Sequence, residues 1–296
     1  ARSTNTPGNR MPSGNRAKLK NRNKIAMYRL SIIALVWLLS SATPSVADDC
    51  PRIISQSPYI THTLEWLGLK DCIVGVSRYD TFDRPRTGGV TDPDKAAIAV
   101  LKPDLMLTSD WTSEKAWTDA TPPGARAIRL HGFRSMREVE DNLHTIAEAA
   151  GRPDAEARAK VFATQWREMA KAVKGNNRRV LLLSACRGSP YTFGQDTWLH
   201  DLFTEAGFID VETHSRLRHL KAENPVAALD DLVGMLKPDI VFVFERTHAD
   251  QCAAILPRAG VRIVALDGEK FLHPAPVLLD GLDTLIARRG QWRKTP

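Results

Sequence analysis

The chain has 296 residues, 43% hydrophobic and 25% charged, a globular composition that excludes a collagen, a disordered tail and a small disulfide-stapled scaffold. Its net charge of +7 invites a nucleic-acid reading, but residues 1–47 hold eight Lys and Arg and no Asp or Glu. Removing those eight from the 41 Lys and Arg leaves 33 against 34 Asp and Glu, so the remainder is close to neutral and implies no nucleic-acid or membrane-surface partner.

Residues 1–26 are polar, basic and rich in Asn, Gly and Pro, a composition that does not bury a core. Met27, a second candidate start of translation, and Arg29 lead into an apolar run at 30–39. Thr43-Pro44 break that run, and Ser45-Val46-Ala47 precede the first acids, Asp48 and Asp49. A basic start, a short apolar run and small residues two apart make a secretory signal peptide with a cut after Ala47; a membrane anchor needs about 20 apolar residues. Cys50 is the third residue after that cut, too late for a lipidated first residue.

Export makes cysteine pairing plausible. The four cysteines are Cys50, Cys72, Cys186 and Cys252, with no C-x-x-C among them. Cys50 and Cys72 each precede an expected strand, at 52–55 and 73–76. If those strands are parallel neighbours, the two cysteines lie at one end of the sheet, where a bridge is sensible. Cys186 with Cys252 is a second candidate pair.

From there the chain repeats itself. The first copy runs through strand 52–55, Ser57-Pro58-Tyr59, a helix ending at Leu67-Gly68, strand 73–76, helix 96–101, Leu101-Lys102-Pro103-Asp104 and strand 105–108. The second runs through strand 179–184, Ser189-Pro190-Tyr191, helix 198–206, helix 229–236, Leu236-Lys237-Pro238-Asp239 and strand 240–244, then strand 262–266 and a helix near 276–288. Short, continuously apolar strands alternating with helices imply parallel sheets covered on both faces. Between the copies, Ser135 and Glu138 form a capping-box pattern, a first helix follows, and a second runs over 154–174 up to Gly175-Asn176-Asn177. At ~1.5 Å per residue that helix is about 30 Å long, enough to join two lobes rigidly. The expected fold class is therefore α/β, with two doubly wound parallel-sheet lobes joined by a single long helix and a ligand cleft between them. The expected segments are 1–47 (presequence and signal peptide), 48–134 (first lobe), 135–175 (connecting helices) and 176–296 (second lobe).

This organisation resembles the substrate-binding proteins of ABC importers for ferric siderophores, haem and cobalamin, over nearly all of residues 50–290. Arg52-Ile-Ile-Ser-Gln-Ser-Pro-Tyr looks like the family's opening strand and helix cap, Ile73-Val-Gly-Val-Ser like its second strand, and the two Lys-Pro-Asp segments like its strand starts. Phe271-Leu-His-Pro-Ala-Pro and Leu278-Leu-Asp-Gly-Leu look like its C-terminal signature. The resemblance implies a periplasmic, monomeric protein without cofactor that binds one small molecule and delivers it to an inner-membrane ABC permease. Beyond the carboxyl ends of the strands, where open α/β sheets bind ligands, the candidate ligand-binding residues are Tyr59, Arg78, Tyr79, Trp111, Arg187, Tyr191 and Arg246. Tyr79 and Trp111 match aromatic cleft positions; Tyr59 and Tyr191 occupy equivalent places in the repeat, and either also reads as a packing residue. The three arginines suit an anionic ligand group and the aromatics a large flat one. A ferric siderophore is favoured, with haem or cobalamin as the alternative.

The family docks its permease with one Glu on each lobe, seven residues before the Pro-Asp proline. Here those positions are Asp231, with Asp230 beside it, and Ala96. Asp92 or Asp94 is the nearby substitute for the missing acid in the first lobe. His62, His131, His200, His214, His219, His248 and His273 are scattered and form no metal-ligand spacing. A secreted two-lobed enzyme is the reading from another class, but no G-x-G-x-x-G, P-loop or G-x-S-x-G is present, so no catalytic residue is assigned.

Overall fold

The computed structural model describes residues 50–184, 190–220, 223–245 and 260–292. The expected signal peptide, Arg187, Arg246, Cys186 and Cys252 lie outside the described residues. The first sheet has four parallel strands, β1 (Ile53–Ser55), β2 (Ile73–Val76), β3 (Leu105–Ser109) and β4 (Arg126–Leu130), in the order β2-β1-β3-β4. Successive side chains point to opposite faces of a strand, so Ile53, Leu105 and Leu107 pack with Ile60 and Leu64 of α1 (Pro58–Trp66), while Ile54 and Met106 pack with Ile98 of α2 (Lys95–Leu101) and Trp117 of α3 (Glu114–Ala120). Burial on both faces is what the unbroken apolar runs require.

Two helices lead to the second sheet. In α4 (Met136–Ala150), Ser135 caps the N-terminus by accepting from Glu138 N at 3.2 Å, and Glu138 reaches back to Arg134 N at 3.0 Å. Gly151 ends it at φ 64°, the left-handed region that favours glycine, and Pro153 opens α5 (Pro153–Val173). The expected bounds of α5 are off by one residue at each end. Helix α5 ties the lobes together: Arg158 donates to Trp66 O at its start (3.0 Å), and Val173 O accepts from Trp292 at its end (3.3 Å). Its Phe162, Trp166 and Ala170 belong to a single apolar core that runs from Ile53 to Trp292.

The second sheet contains β5 (Arg179–Ser184), β6 (Tyr191–Phe193), β7 (Ile209–Asp210), β8 (Leu217–His219), β9 (Ile240–Glu245) and β10 (Arg262–Asp267), with helices α6 (Trp198–Glu205), α7 (Pro225–Leu236) and α8 (Leu278–Arg288). Its parallel part reads β7-β5-β9-β10, the same order as β2-β1-β3-β4. It departs from the expected all-parallel sheet in one place: β6 runs antiparallel to β5, and β8 antiparallel to β6.

That addition separates the two repeat matches. The Leu-Lys-Pro-Asp pair is structurally equivalent. Arg52 donates to Leu101 O (2.8 Å) and Lys102 O (3.2 Å), and its amide donates to Asp104 Oδ2 (2.8 Å). Arg179 donates to Leu236 O (2.7 Å) and Lys237 O (3.1 Å), and its amide to Asp239 Oδ2 (3.0 Å). In both lobes an arginine at a strand start satisfies the last carbonyls of the neighbouring helix. The Ser-Pro-Tyr pair is not equivalent: Tyr59 lies in α1, whereas Tyr191 lies in β6, and the residue that caps α6 is Thr197.

Cys50 and Cys72 form a disulfide with Cα atoms 5.4 Å apart. They sit just before β1 and β2, which are parallel neighbours.

Candidate functional site

A pocket of about 280 Å³ lies between the two sheets' strand ends. Every part of its first-lobe wall succeeds a strand or opens the connecting helices: Asp110 and Trp111 after β3, Phe133 and Arg134 after β4, and Glu138 in the first turn of α4. The second-lobe wall is built from the antiparallel addition and the helix start beside it: Tyr191 and Phe193 on β6, Asp196 to Trp198 at the start of α6, and Arg216 and Leu217 at β8. Leu272 completes the lining.

The lining is aromatic and continuous. Trp111 stacks on Phe133 with centroids 4.7 Å apart and planes 16° from parallel. Phe133 meets Trp198 edge-on at 5.7 Å, Trp198 meets Phe193 at 5.5 Å, and Phe193 meets Tyr191 at 5.3 Å. Trp198 is pinned by donating its indole N–H to Phe271 O at 3.0 Å. Trp111 is 62% exposed, so a broad apolar face is offered at the mouth.

The charged groups divide by whether they are already engaged. Asp110 Oδ2 lies 2.8 Å from His131 Nδ1, and Glu138 Oε2 accepts from Arg134 N. Arg134 and Arg216 are exposed, one from each lobe, and neither guanidinium pairs with a carboxylate among the described residues. An exposed guanidinium with no internal partner is free to grip a planar anion.

The expected residues fare unequally. Trp111 and Tyr191 line the pocket. Tyr59 does not face it openly: it is buried, edge-on to Phe133 at 5.3 Å, and its hydroxyl has no hydrogen-bond partner among the described residues. Burial first, and then the charges of Asp110 and Glu138, push this phenol well above the ordinary tyrosine range. Arg78 and Tyr79 are not pocket lining. Arg78 is engaged by Asp92, its guanidinium carbon lies 5.9 Å from the Tyr79 ring centroid, and Tyr79 is 63% exposed on its loop. Phe133, Arg134, Trp198 and Arg216 were not anticipated. Position immediately after a strand was the available signal for Phe133 and Arg134, but β4 itself, with Arg126 and Arg129 in five residues, lacks the apolar run that marks the other strands.

On the outer helices, Asp231 is exposed and Asp230 half-buried on α7, while Ala96 is exposed on α2. Neither substitute acid is idle. Asp94 accepts from Ala96 N (3.0 Å) and Ala97 N (3.1 Å) as the α2 cap, and Asp92 holds Arg78. Among the described residues, no group of three or more His, Cys, Asp or Glu is arranged to hold a metal ion.

No protein-family model matches the chain. It is 22% identical over 280 residues to the vitamin B12-binding protein of Vibrio cholerae serotype O1, covering 87% of this chain and 96% of that protein. It is 23% identical over 268 residues to the uncharacterized ABC transporter substrate-binding lipoprotein YvrC of Bacillus subtilis, covering 83% and 82%. The chain is similar to these binding proteins over most of its length. Solved structures share its fold. A periplasmic haem-binding protein from Pseudomonas aeruginosa superposes with a TM-score of 0.66 at 21% identity, covering 83% of this chain and 94% of that one. The siderophore-binding protein BauB, bound to ferric iron with two acinetobactin molecules, superposes with a TM-score of 0.61 at 15% identity, covering 82% and 94%. The two-lobe α/β architecture is thus common to this chain and to these proteins.

Proposed function

We propose that this chain is an extracytoplasmic substrate-binding protein that captures a metal chelate in the interlobe pocket and hands it to an ABC permease. The observation that carries the reading is the pocket itself: one aromatic surface drawn from both lobes, with an arginine on each side that pairs with no carboxylate among the described residues. Sites at such strand ends and domain interfaces are where α/β folds bind small molecules. The names of the relatives and fold neighbours support the same class. A ferric siderophore or another chelate with an anionic edge is the first choice, because Arg134 and Arg216 need anionic partners. A corrinoid is the second, because Asp110, Glu138 and Asp196 offer carboxylate oxygens to amide N–H donors.

Binding without catalysis is the reading that the relatives' names support, and the lining's threonine hydroxyl, on Thr197, is engaged in donating to Gly194 O at 2.7 Å. Export to the periplasm with cleavage after Ala47 fits a Cys50–Cys72 bridge. The lobes fall at 48–134 and 176–296, with 135–175 between them, in a monomer. The permease meets Asp231 and Asp230 on α7 and, in the first lobe, the apolar face of Ala96 and Val100 on α2. Val100 and Met235 are equivalent in the repeat, each one turn beyond Ala96 and Asp231, and are 79% and 64% exposed.

Intrinsic tryptophan fluorescence of the purified chain, titrated with haem, cyanocobalamin and a panel of ferric siderophores, tests the reading. Saturable quenching by one of them is expected, through Trp111 and Trp198. Absence of binding to all of them overturns the ligand class, and chemical conversion of a bound chelate overturns binding without catalysis.

A further inference from the structure

We infer that Glu212, which does not line the pocket, is the positioning residue that holds the second-lobe wall in its ligand-binding shape. The inference rests on the reading of the pocket as the ligand site. It starts from a part of the second lobe that the repeat does not explain, the antiparallel pair β6 and β8.

Glu212 is fully buried. Its carboxylate accepts from Thr192 Oγ1 at 2.5 Å, from the backbone N–H of Thr213 (2.8 Å) and His214 (3.0 Å), and from Arg218 Nε (3.1 Å) and a terminal guanidinium nitrogen (2.7 Å). Thr192 and Arg218 are directly opposite each other in the β6–β8 register. Side chains alternate between the faces of a strand. When Thr192 and Arg218 point to Glu212, their neighbours Tyr191, Phe193 and Leu217 point the other way, and these three line the pocket. One carboxylate therefore sets which face of the added strands the pocket receives.

The same lock extends to the next loop. The backbone N–H groups of Gln195 and Asp196 donate to His214 O (3.0 Å) and Ser215 O (2.5 Å). Gly194 packs so closely on this segment that a Cβ there would run into His214 O and Arg216 O. Asp196 and Trp198 on one side and Arg216 on the other thus hang from a single hydrogen-bonded unit with Glu212 at its centre. Burial acts to raise the Glu212 carboxyl, but the bonds from Arg218, Thr192 and the His214 amide outweigh it and hold it below the ordinary carboxylate range. It is ionised at neutral pH, as a bidentate partner of Arg must be.

The test compares the wild-type chain with Glu212→Gln, Thr192→Val and Thr192→Ser. The readouts are affinity for hemin, cyanocobalamin and ferric 2,3-dihydroxybenzoate, and hydrogen exchange resolved by segment. Glu212→Gln is expected to weaken the probe that binds by at least tenfold, and to raise exchange in 191–198 and 213–219 while β1 to β4 stay protected. Thr192→Val should weaken the same probe several-fold and Thr192→Ser should restore it, a rescue that loss of bulk packing does not predict. Unchanged affinity in a folded Glu212→Gln overturns the inference, as does exchange that rises evenly over both lobes. If Glu212→Gln does not fold, the Val and Ser pair decides, and equal affinities in those two overturn it. If the wild type binds no probe, the ligand reading fails, and selective exchange in the two segments still supports or refutes the role of Glu212 as the anchor of the wall.

Discussion

Tyr59→Phe tests the architecture under the pocket because its expected sign is unusual. Removing a polar atom from a core normally costs stability through a lost hydrogen bond. The Tyr59 hydroxyl is buried without a partner among the described residues, so it carries a desolvation cost of about 1–3 kcal/mol that no bond offsets. The ring itself keeps its edge contact with Phe133 in the Phe variant. We therefore expect Tyr59→Phe to stabilise the chain by about 1 kcal/mol, which for a domain of this size is a rise in Tm of roughly 2–4 °C. Tyr59→Ala, which empties the site, should instead cost about 3–5 kcal/mol. Thermal and urea unfolding of the chain measure both. A Phe variant destabilised by more than about 1 kcal/mol would refute the reasoning, since it would mean that the hydroxyl has a strong partner. A Phe variant of normal stability that has lost its ligand would assign the hydroxyl to the ligand directly.

Three further outcomes are expected. Trp111→Ala removes the side chain of a residue that is 62% exposed at the pocket mouth; covering about 100 Å² of it is worth about 2.5 kcal/mol at ~25 cal/mol per Å², so affinity should fall roughly 60-fold, while Tyr79→Ala, off the lining, should change it less than threefold in the same titration. Cys50 and Cys72 close a loop with a separation of 22 residues, so replacing both with Ser should cost about 3 kcal/mol, read as a lower urea midpoint that added reductant no longer shifts. His62 is pushed below the ordinary histidine range, first by burial and then by His273 at 5.1 Å, against the pull of Asp80, Glu269 and Asp280. Its folded value is depressed, so its contribution is present above about pH 6.5 and is lost as pH falls through the lowered value; Tm measured against pH should show an acid limb that His62→Gln flattens, and parallel curves would refute this.

The parallel framework is readable from the chain because its signals are local. Unbroken apolar runs mark β1, β3, β5 and β9, and the long helix α5 is bounded by Pro153 and the Gly175-Asn176-Asn177 stop. The Leu-Lys-Pro-Asp repeat is real because Arg52 and Arg179 make the same bonds to it. The misreadings have a common cause. Strands of three residues such as β6 and β8 carry no periodicity, so Tyr191 reads as the repeat equivalent of Tyr59, although Tyr59 lies in a helix and Tyr191 in a strand. Glu212 looks in sequence like any surface acid, and the strand pairing that sets Thr192 and Arg218 against it leaves no mark in the sequence. Trp111 and Tyr191 are legible because a strand end is enough to place an aromatic near the cleft. Phe133 and Trp198 are not, because their roles depend on the two lobes meeting.

The arginines show why residue type alone does not reveal a ligand's charge. Arg78 is the natural candidate from its place after β2, yet Asp92, fourteen residues on, returns to neutralise it. Arg218 is likewise used up by Glu212. What distinguishes Arg134 and Arg216 is that each stands at the pocket without a carboxylate partner among the described residues, while Asp110 and Glu138 beside them are engaged by His131 and by a backbone amide. A neutral flat ligand would leave both guanidiniums without an anion in a partly dehydrated cleft, where an Arg–carboxylate bond is stronger than in water. A chelate with an anionic edge gains at both lobes at once, and that gain is available only when the lobes hold it together. The charge that favours such a ligand also rewards the bound arrangement of the two lobes. Arg134→Gln and Arg216→Gln should therefore each weaken an anionic chelate, and the double variant should lose less than the sum of the two, since a ligand released by one lobe no longer bridges to the other.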